Sequence, residues 1–110
     1  MRAMIIKSKT EWSALFREGI IYDGMVKAAA DVEQGLLAVE AEWHSELVSE
    51  LFENAGSHFD VTWGFNLYPD RTIEYNSLMN VKPNINHKDT DIYDEDLQTK
   101  IREVVDSWLI

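Results

Sequence analysis

The chain has no cysteine among its 110 residues. That excludes disulfides, thiolate metal sites and cysteine nucleophiles, and it fits a reducing cytoplasm. Positive charge is also scarce: ten Lys and Arg stand against twenty Asp and Glu, for a formal net charge of −10 and a pI of about 4.6. The bases are scattered from Arg2 to Arg102 without forming a stripe. Such a chain repels a phosphate backbone, so nucleic acid is not an expected partner. Long apolar runs are missing too. Ala3 to Ile6 precede Lys7, too short for a signal-peptide core, and no stretch approaches a membrane span. A cytoplasmic protein with no membrane partner is the expectation. The five glycines stand singly at 19, 24, 35, 56 and 64, so no glycine loop can cradle a phosphate. A nucleophile elbow and a His-Glu-x-x-His helix are likewise absent, and neither a cofactor nor a metal is expected.

What is present suffices for a core. Apolar residues make up 45% of the chain and include four Trp, four Tyr and four Phe, which argues against disorder. The length suits one α+β domain over residues 1–110. Residues 61–83 read as two long antiparallel strands folded back at Pro69-Asp70-Arg71. Val61, Trp63, Phe65 and Leu67 share one face, and Ile73, Tyr75, Met79 and Val81 share one on the return. The opposite face carries Thr62, Asn66, Tyr68, Glu74, Asn76, Asn80 and Lys82, a polar surface able to meet water, a helix or a partner.

The remaining elements follow in order. Residues 3–7 read as a short strand, and Thr10 can cap a helix bearing Trp12, Leu15 and Phe16 that Gly19 ends. Residues 25–43 have the composition of a helix, yet they alternate cleanly if broken at Glu33-Gln34-Gly35. A helix would also hold Gly35 in its interior at about 1 kcal/mol. A β-hairpin is therefore expected, with Glu40, Glu42 and His44 facing outward. Ser45 can cap a helix with the stripe Leu47, Val48, Leu51 and Phe52, closed by Gly56. After a polar loop from Pro83 to Tyr93, Asp94, Glu95 and Asp96 open a last helix with apolar residues from Leu97 to Leu109 at helical spacing. The order β-α-β-β-α-β-β-α implies a largely antiparallel sheet of about five strands with three helices on one face.

With these residues laid out, the chain resembles a bacterial family of short proteins known only as a domain of unknown function. The resemblance lies in Met25-Val26-Lys27-Ala28, Asp31, Glu33, Gly35, Glu42 and His44, then in Gly56-Ser57. It continues in Trp63-Gly64, Asn66-Leu67-Tyr68-Pro69, Ile73-Glu74, Ser77, Asn80, Pro83, Asp94 and Lys100-Ile101. It covers roughly residues 23–105 and implies no activity. One departure is the loop from Asn84 to Asp91, Arg- and Gly-rich in the family, which puts anion binding there in doubt.

Three groups of residues can carry chemistry. Glu40, Glu42 and His44 alternate on one strand face with Asp31 across the turn, close enough for an acid–base pair or a shared ion. The same string also arises readily in an acidic protein as a solvated sheet face. Asn66, Tyr68, Glu74, Asn76 and Asn80 cluster on the polar face of the central hairpin, where mid-strand Asn is unusual. These either pair across strands or read a ligand. The loop residues Asn86, His87, Asp89, Asp91 and Asp94 lack the glycine and the terminal Glu of a calcium loop. His58 and Asp60 form an isolated pair with no role assigned.

The favoured reading is a non-enzymatic module that binds a small molecule or a protein and acts as a homodimer. Its ligand residues are Glu42, His44, Asn66, Tyr68, Glu74 and Asn80. The competing reading is a small hydrolase or lyase built on Glu42, His44, Asn66 and Glu74.

Overall fold

The alternation of residues 26–39 folds as a hairpin, closed by a turn that Asp31 and Gly35 define. The computed structural model describes residues 3–16 and 24–110. Its strands are β1 (Met4–Ile5), β2 (Val26–Asp31), β3 (Leu36–Val39), β4 (Thr62–Leu67) and β5 (Ile73–Glu74). They form one antiparallel sheet in the order β1-β3-β2-β4-β5. Helix α1 (His44–Ala55) lies between β3 and β4, and α2 (Glu95–Trp108) follows β5. In the β2–β3 turn, Asp31 Oδ1 accepts the backbone N–H groups of Glu33 and Gln34, each at 2.9 Å. Gly35 sits at φ 72°, a left-handed conformation that favours glycine, and returns its N–H to the Asp31 carbonyl. Burial pushes the Asp31 carboxyl up, but hydrogen bonds from Ser57, Gln34 and Glu33 outweigh it and hold the group below its ordinary value.

Cross-strand register assigns the two faces. Val26, Ala28 and Ala30 of β2 share a cluster with Leu37, Val39, Trp63, Phe65, Leu67 and Ile73, and onto it pack Ile101, Val104 and Val105 of α2. The other face has small residues at its centre: Ala29 stands opposite both Ala38 and Gly64. This lets α1 approach closely, and Leu47, Val48 and Leu51 complete a second cluster there. The helices thus cover opposite faces, not one. Helix α1 ends in a Schellman-type closure, with Gly56 at φ 66° and the Ser57 N–H bonded to the Leu51 carbonyl. Asp94 caps α2 by accepting from Asp96 N and Leu97 N.

Several expectations need correction. There are two α-helices among the described residues, not three. The segment expected as the first helix is a single 3-10 turn, Trp12–Leu15; Gly19 and the Ile20–Asp23 stretch lie outside the described residues. Trp12 and Leu15 are both buried, and one tight turn places them on the same side. The Trp12 indole then donates to the Tyr68 carbonyl at 2.8 Å. Helix α1 starts at His44 with Trp43 as its uncapped N-cap, so Ser45 is inside it, and Phe52 faces solvent. β3 stops at Val39 because Glu40 adopts φ 69°. Glu40, Glu42 and His44 therefore do not share a strand face. The return strand of the central hairpin is only two residues long. Past it, Ser77 accepts the Met79 N–H and opens a 3-10 turn, Leu78–Asn80, leaving Val81 exposed.

Candidate functional site

On the α1 face, the sheet ends in a polar row. Lys27 pairs with Asn66 across β2 and β4, and Asn66 pairs with Glu74 across β4 and β5. Directly opposed residues point to the same side, so the three side chains stand in a line. His44, in the first turn of α1, leans over this line. It comes close because β4 carries Gly64: a Cβ there would lie 2.7 Å from Ser77 Cβ and Oγ and 3.2 Å from His44 Cδ2. The result is a cleft of about 440 Å³ with Lys27, His44, Asn66 and Glu74 among its lining residues. Met25, Trp43, Leu78 and Met79 form its apolar wall.

Hydrogen bonds fix the orientation of the floor. Asn66 Nδ2 donates to Glu74 Oε1 at 2.8 Å and to the Asn76 carbonyl at 3.4 Å. Both partners only accept, so the amide nitrogen must face them. Asn66 Oδ1 is left buried without a partner. His44 Nε2 lies 2.9 Å from the Phe65 carbonyl, which makes it the protonated nitrogen of the neutral ring and leaves Nδ1 as an acceptor. Burial lowers the His44 pKa; the Phe65 carbonyl opposes that, and the Lys27 charge adds to it. The Asn66 amide nearby slightly favours the charged ring. Tyr68 OH donates to Glu74 Oε1 at 3.3 Å. Its pKa is raised by burial first and then by the Glu74 carboxylate.

A larger open groove of about 810 Å³ runs along β1 beside Glu40, Glu50 and Asn54. Among the described residues, though, the buried polar atom lacking a partner belongs to the smaller cleft. No group of three or more His, Asp or Glu side chains among the described residues could hold a metal ion. No helix among them is long and apolar enough to cross a membrane.

The model of a family described as a protein of unknown function, DUF5674, matches residues 4–108. The chain belongs to this family. No curated protein and no solved structure matches it. For this DUF5674 member the cleft therefore has to be read from its own side chains.

Of the residues singled out in the sequence, His44, Asn66, Glu74 and Asn76 meet in the cleft, and Tyr68 touches it through Glu74. Glu42 is exposed, outside the lining, and makes no ion pair with His44. Asn80 is fully buried and has a different task. Its Oδ1 accepts the Gly64 N–H at 2.8 Å, and its Nδ2 donates to the carbonyls of Gly64 and Thr90 at 2.9 and 3.1 Å. One carboxamide thus completes the backbone of β4 where β5 has ended. His87 Nδ1 donates to the Asn80 carbonyl, and Asp91 accepts from Asn76. The loop residues brace this segment.

Sequence reading missed Lys27, Trp43, Ser77 and Leu78 as lining residues. Lys27 reaches the row only through the β2–β4 register, which no local pattern encodes. The same reading placed Lys82 on the polar hairpin face with Asn66 and Glu74, but Lys82 is fully buried away from the cleft. The Lys82 amine sits 3.5 Å from the Phe59 ring centroid and 4.9 Å from that of Trp63, and donates to the Met79 carbonyl at 2.9 Å. Burial lowers its pKa to about 8, against the opposing charge of Asp60.

Proposed function

We propose that this protein is a small-molecule-binding module whose site is the cleft between the N-terminus of α1 and the β4–β5 end of the sheet. The observation that carries this reading is the polar row Lys27–Asn66–Glu74 lining a concavity with apolar walls, with Asn66 Oδ1 buried there without a hydrogen bond. Binding sites combine such walls with a few oriented polar groups. Catalysis by a Glu42–His44 pair gains no support, since Glu42 stands outside the cleft.

The module acts as a homodimer. The exposed Phe52 and Tyr93, outside the cleft lining, suit such contact better than the sheet edges. β1 and β5 are two residues long and offer little ladder for strand addition, while the apolar stripe of α2 is covered by its own sheet. The lack of cysteine supports a reducing, cytoplasmic location, and the sequence resemblance supports a bacterial source.

A thermal-shift screen of the full chain against polar metabolites tests the binding reading. A ligand at about a hundred times its Kd adds about 2.7 kcal/mol. The shift should survive Glu42→Gln and be lost in Leu78→Trp, which fills the cleft from an exposed position. Hits that ignore Leu78→Trp would sink the reading. A monomer mass in light scattering at tens of micromolar would remove the dimer.

A further inference from the structure

The polarity of the cleft specifies what it would take. Asn66 is 5% exposed, and both hydrogens of its amide are engaged by Glu74 and Asn76. Flipping the amide would set its oxygen against a carboxylate and a carbonyl, so the orientation is locked. Asn76 repeats the pattern: its Nδ2 donates to Asp91 Oδ1 at 2.7 Å and Thr90 Oγ1 at 3.1 Å. Two carboxamides of the lining therefore direct their donors into the protein and keep only carbonyl oxygens in reserve. Beside them stand the Glu74 carboxylate and a neutral His44 ring whose proton is engaged by Phe65. Acceptors predominate here. A buried acceptor without a full hydrogen bond is costly: Asn66 Oδ1 makes none, and the nearby His44 ring, with which the amide interacts weakly, has its N–H engaged by Phe65.

Resting on the binding reading above, we infer that the cleft recognises a compact ligand through a nitrogen bearing two or more N–H bonds, carried on an apolar body. A hydroxyl brings one donor and leaves the second acceptor unmet; a carboxylate brings none. An –NH2 or –NH3⁺ group can serve Asn66 Oδ1 and Glu74 together. The apolar body packs on Trp43, Leu78 and Met79. Asn66 Oδ1 is closed over by its surroundings, so binding displaces a neighbouring side chain. Trp43 and Leu78, 61% and 80% exposed, have the least packing to lose. Lys27 closes the far end of the row, where it has an interaction of its own within the protein.

The test uses one ring with four head groups: benzylamine, benzamide, benzyl alcohol and benzoate, each titrated at millimolar concentration into the ¹⁵N-labelled full chain. Benzylamine or benzamide should move the Asn66 side-chain amide and the His44 and Ser45 backbone signals. Either should bind about tenfold more tightly than benzyl alcohol, with benzoate weakest. Binding by the amine alone, weakened by salt, would identify a cationic ligand; salt-independent binding by the amide would identify a neutral one. Leu78→Trp, at an exposed position, should abolish the shifts without unfolding the chain. If the alcohol or benzoate binds in the cleft as well as the nitrogen probes, the donor inference falls while the binding reading stands. If the nitrogen probes fail while other metabolites shift the cleft signals, the inference falls in the same way. If every hit is insensitive to Leu78→Trp, both fall.

Discussion

The two faces of this sheet are built on different terms. On the α2 face, large apolar side chains such as Leu37, Phe65, Leu67 and Ile101 are fully buried against one another. On the α1 face, Ala29, Ala38 and Gly64 occupy the centre, and polar residues fill the end that α1 leaves open. Burial of large side chains supplies stability in proportion to apolar area. Small side chains supply less, but they allow a helix end, a strand and a 3-10 turn to converge within contact distance of one backbone. The α2 face holds the fold together, and the α1 face gives up packing area to bring polar groups together.

The largest expected effect breaks the first of these. Phe65→Ala should lower the free energy of unfolding in urea by about 3–5 kcal/mol. A cost under about 1 kcal/mol would mean the apolar load lies elsewhere. Next comes the charge beside that apolar side, on Lys82. Its folded pKa of about 8 lies below the ordinary 10.5, so below pH 8 the amine is charged in both states and the fold carries the whole penalty. Between these values the unfolded chain holds the proton and the folded chain does not. Stability should therefore rise with pH across that window, by something on the order of 3 kcal/mol in full. Lys82→Met should flatten the rise in denaturation curves taken between pH 7.5 and 9.5, and an equal slope in both proteins would refute the assignment.

The α1 face gives smaller numbers. Gly64→Ala places a methyl group 2.7 Å from Ser77 and should cost about 1–3 kcal/mol. Ser77→Gly in the same chain should recover part of that, giving a favourable coupling in a double-mutant cycle. Additivity would show that the close approach does not limit the substitution. Last, Leu78→Ser, at a position 80% exposed, should change stability by less than about 0.5 kcal/mol while weakening any cleft ligand. A larger loss would make Leu78 part of the packing and not of the cleft wall.

Legibility in the sequence followed the range of the interactions involved. The β2–β3 hairpin could be read because Asp31, Gly35 and the alternation around them act within a few residues. Asp94 and the stripe of α2 were equally local. The return strand failed at Ser77, whose hydroxyl captures the Met79 N–H and offers the backbone a tight turn in place of a ladder. His44 looked like a strand residue because it alternates with Glu40 and Glu42; the left-handed backbone at Glu40 ends that pattern and leaves no trace in the polarity of the sequence. For the cleft, Asn66 and Glu74 are hairpin neighbours and were visible together. Lys27 joins them only through the β2–β4 pairing, and Asn80 looked like a ligand residue because its partner, the backbone of Gly64, has no side-chain signature.

The order of the strands also bears on how the chain reaches this state. β2 meets β3 across a short turn, but its other neighbour, β4, lies beyond β3 and the whole of α1; there Val26 ends up opposite Leu67 and Asp31 opposite Thr62. The near partner can form on the microsecond scale of an isolated hairpin. The far one must first enclose a long loop, and such non-local pairing slows the crossing of the barrier. The seam between β2 and β4 is thus where the rate of folding should be set, with the Asp31–Gly35 turn waiting, already made, for β4 to arrive.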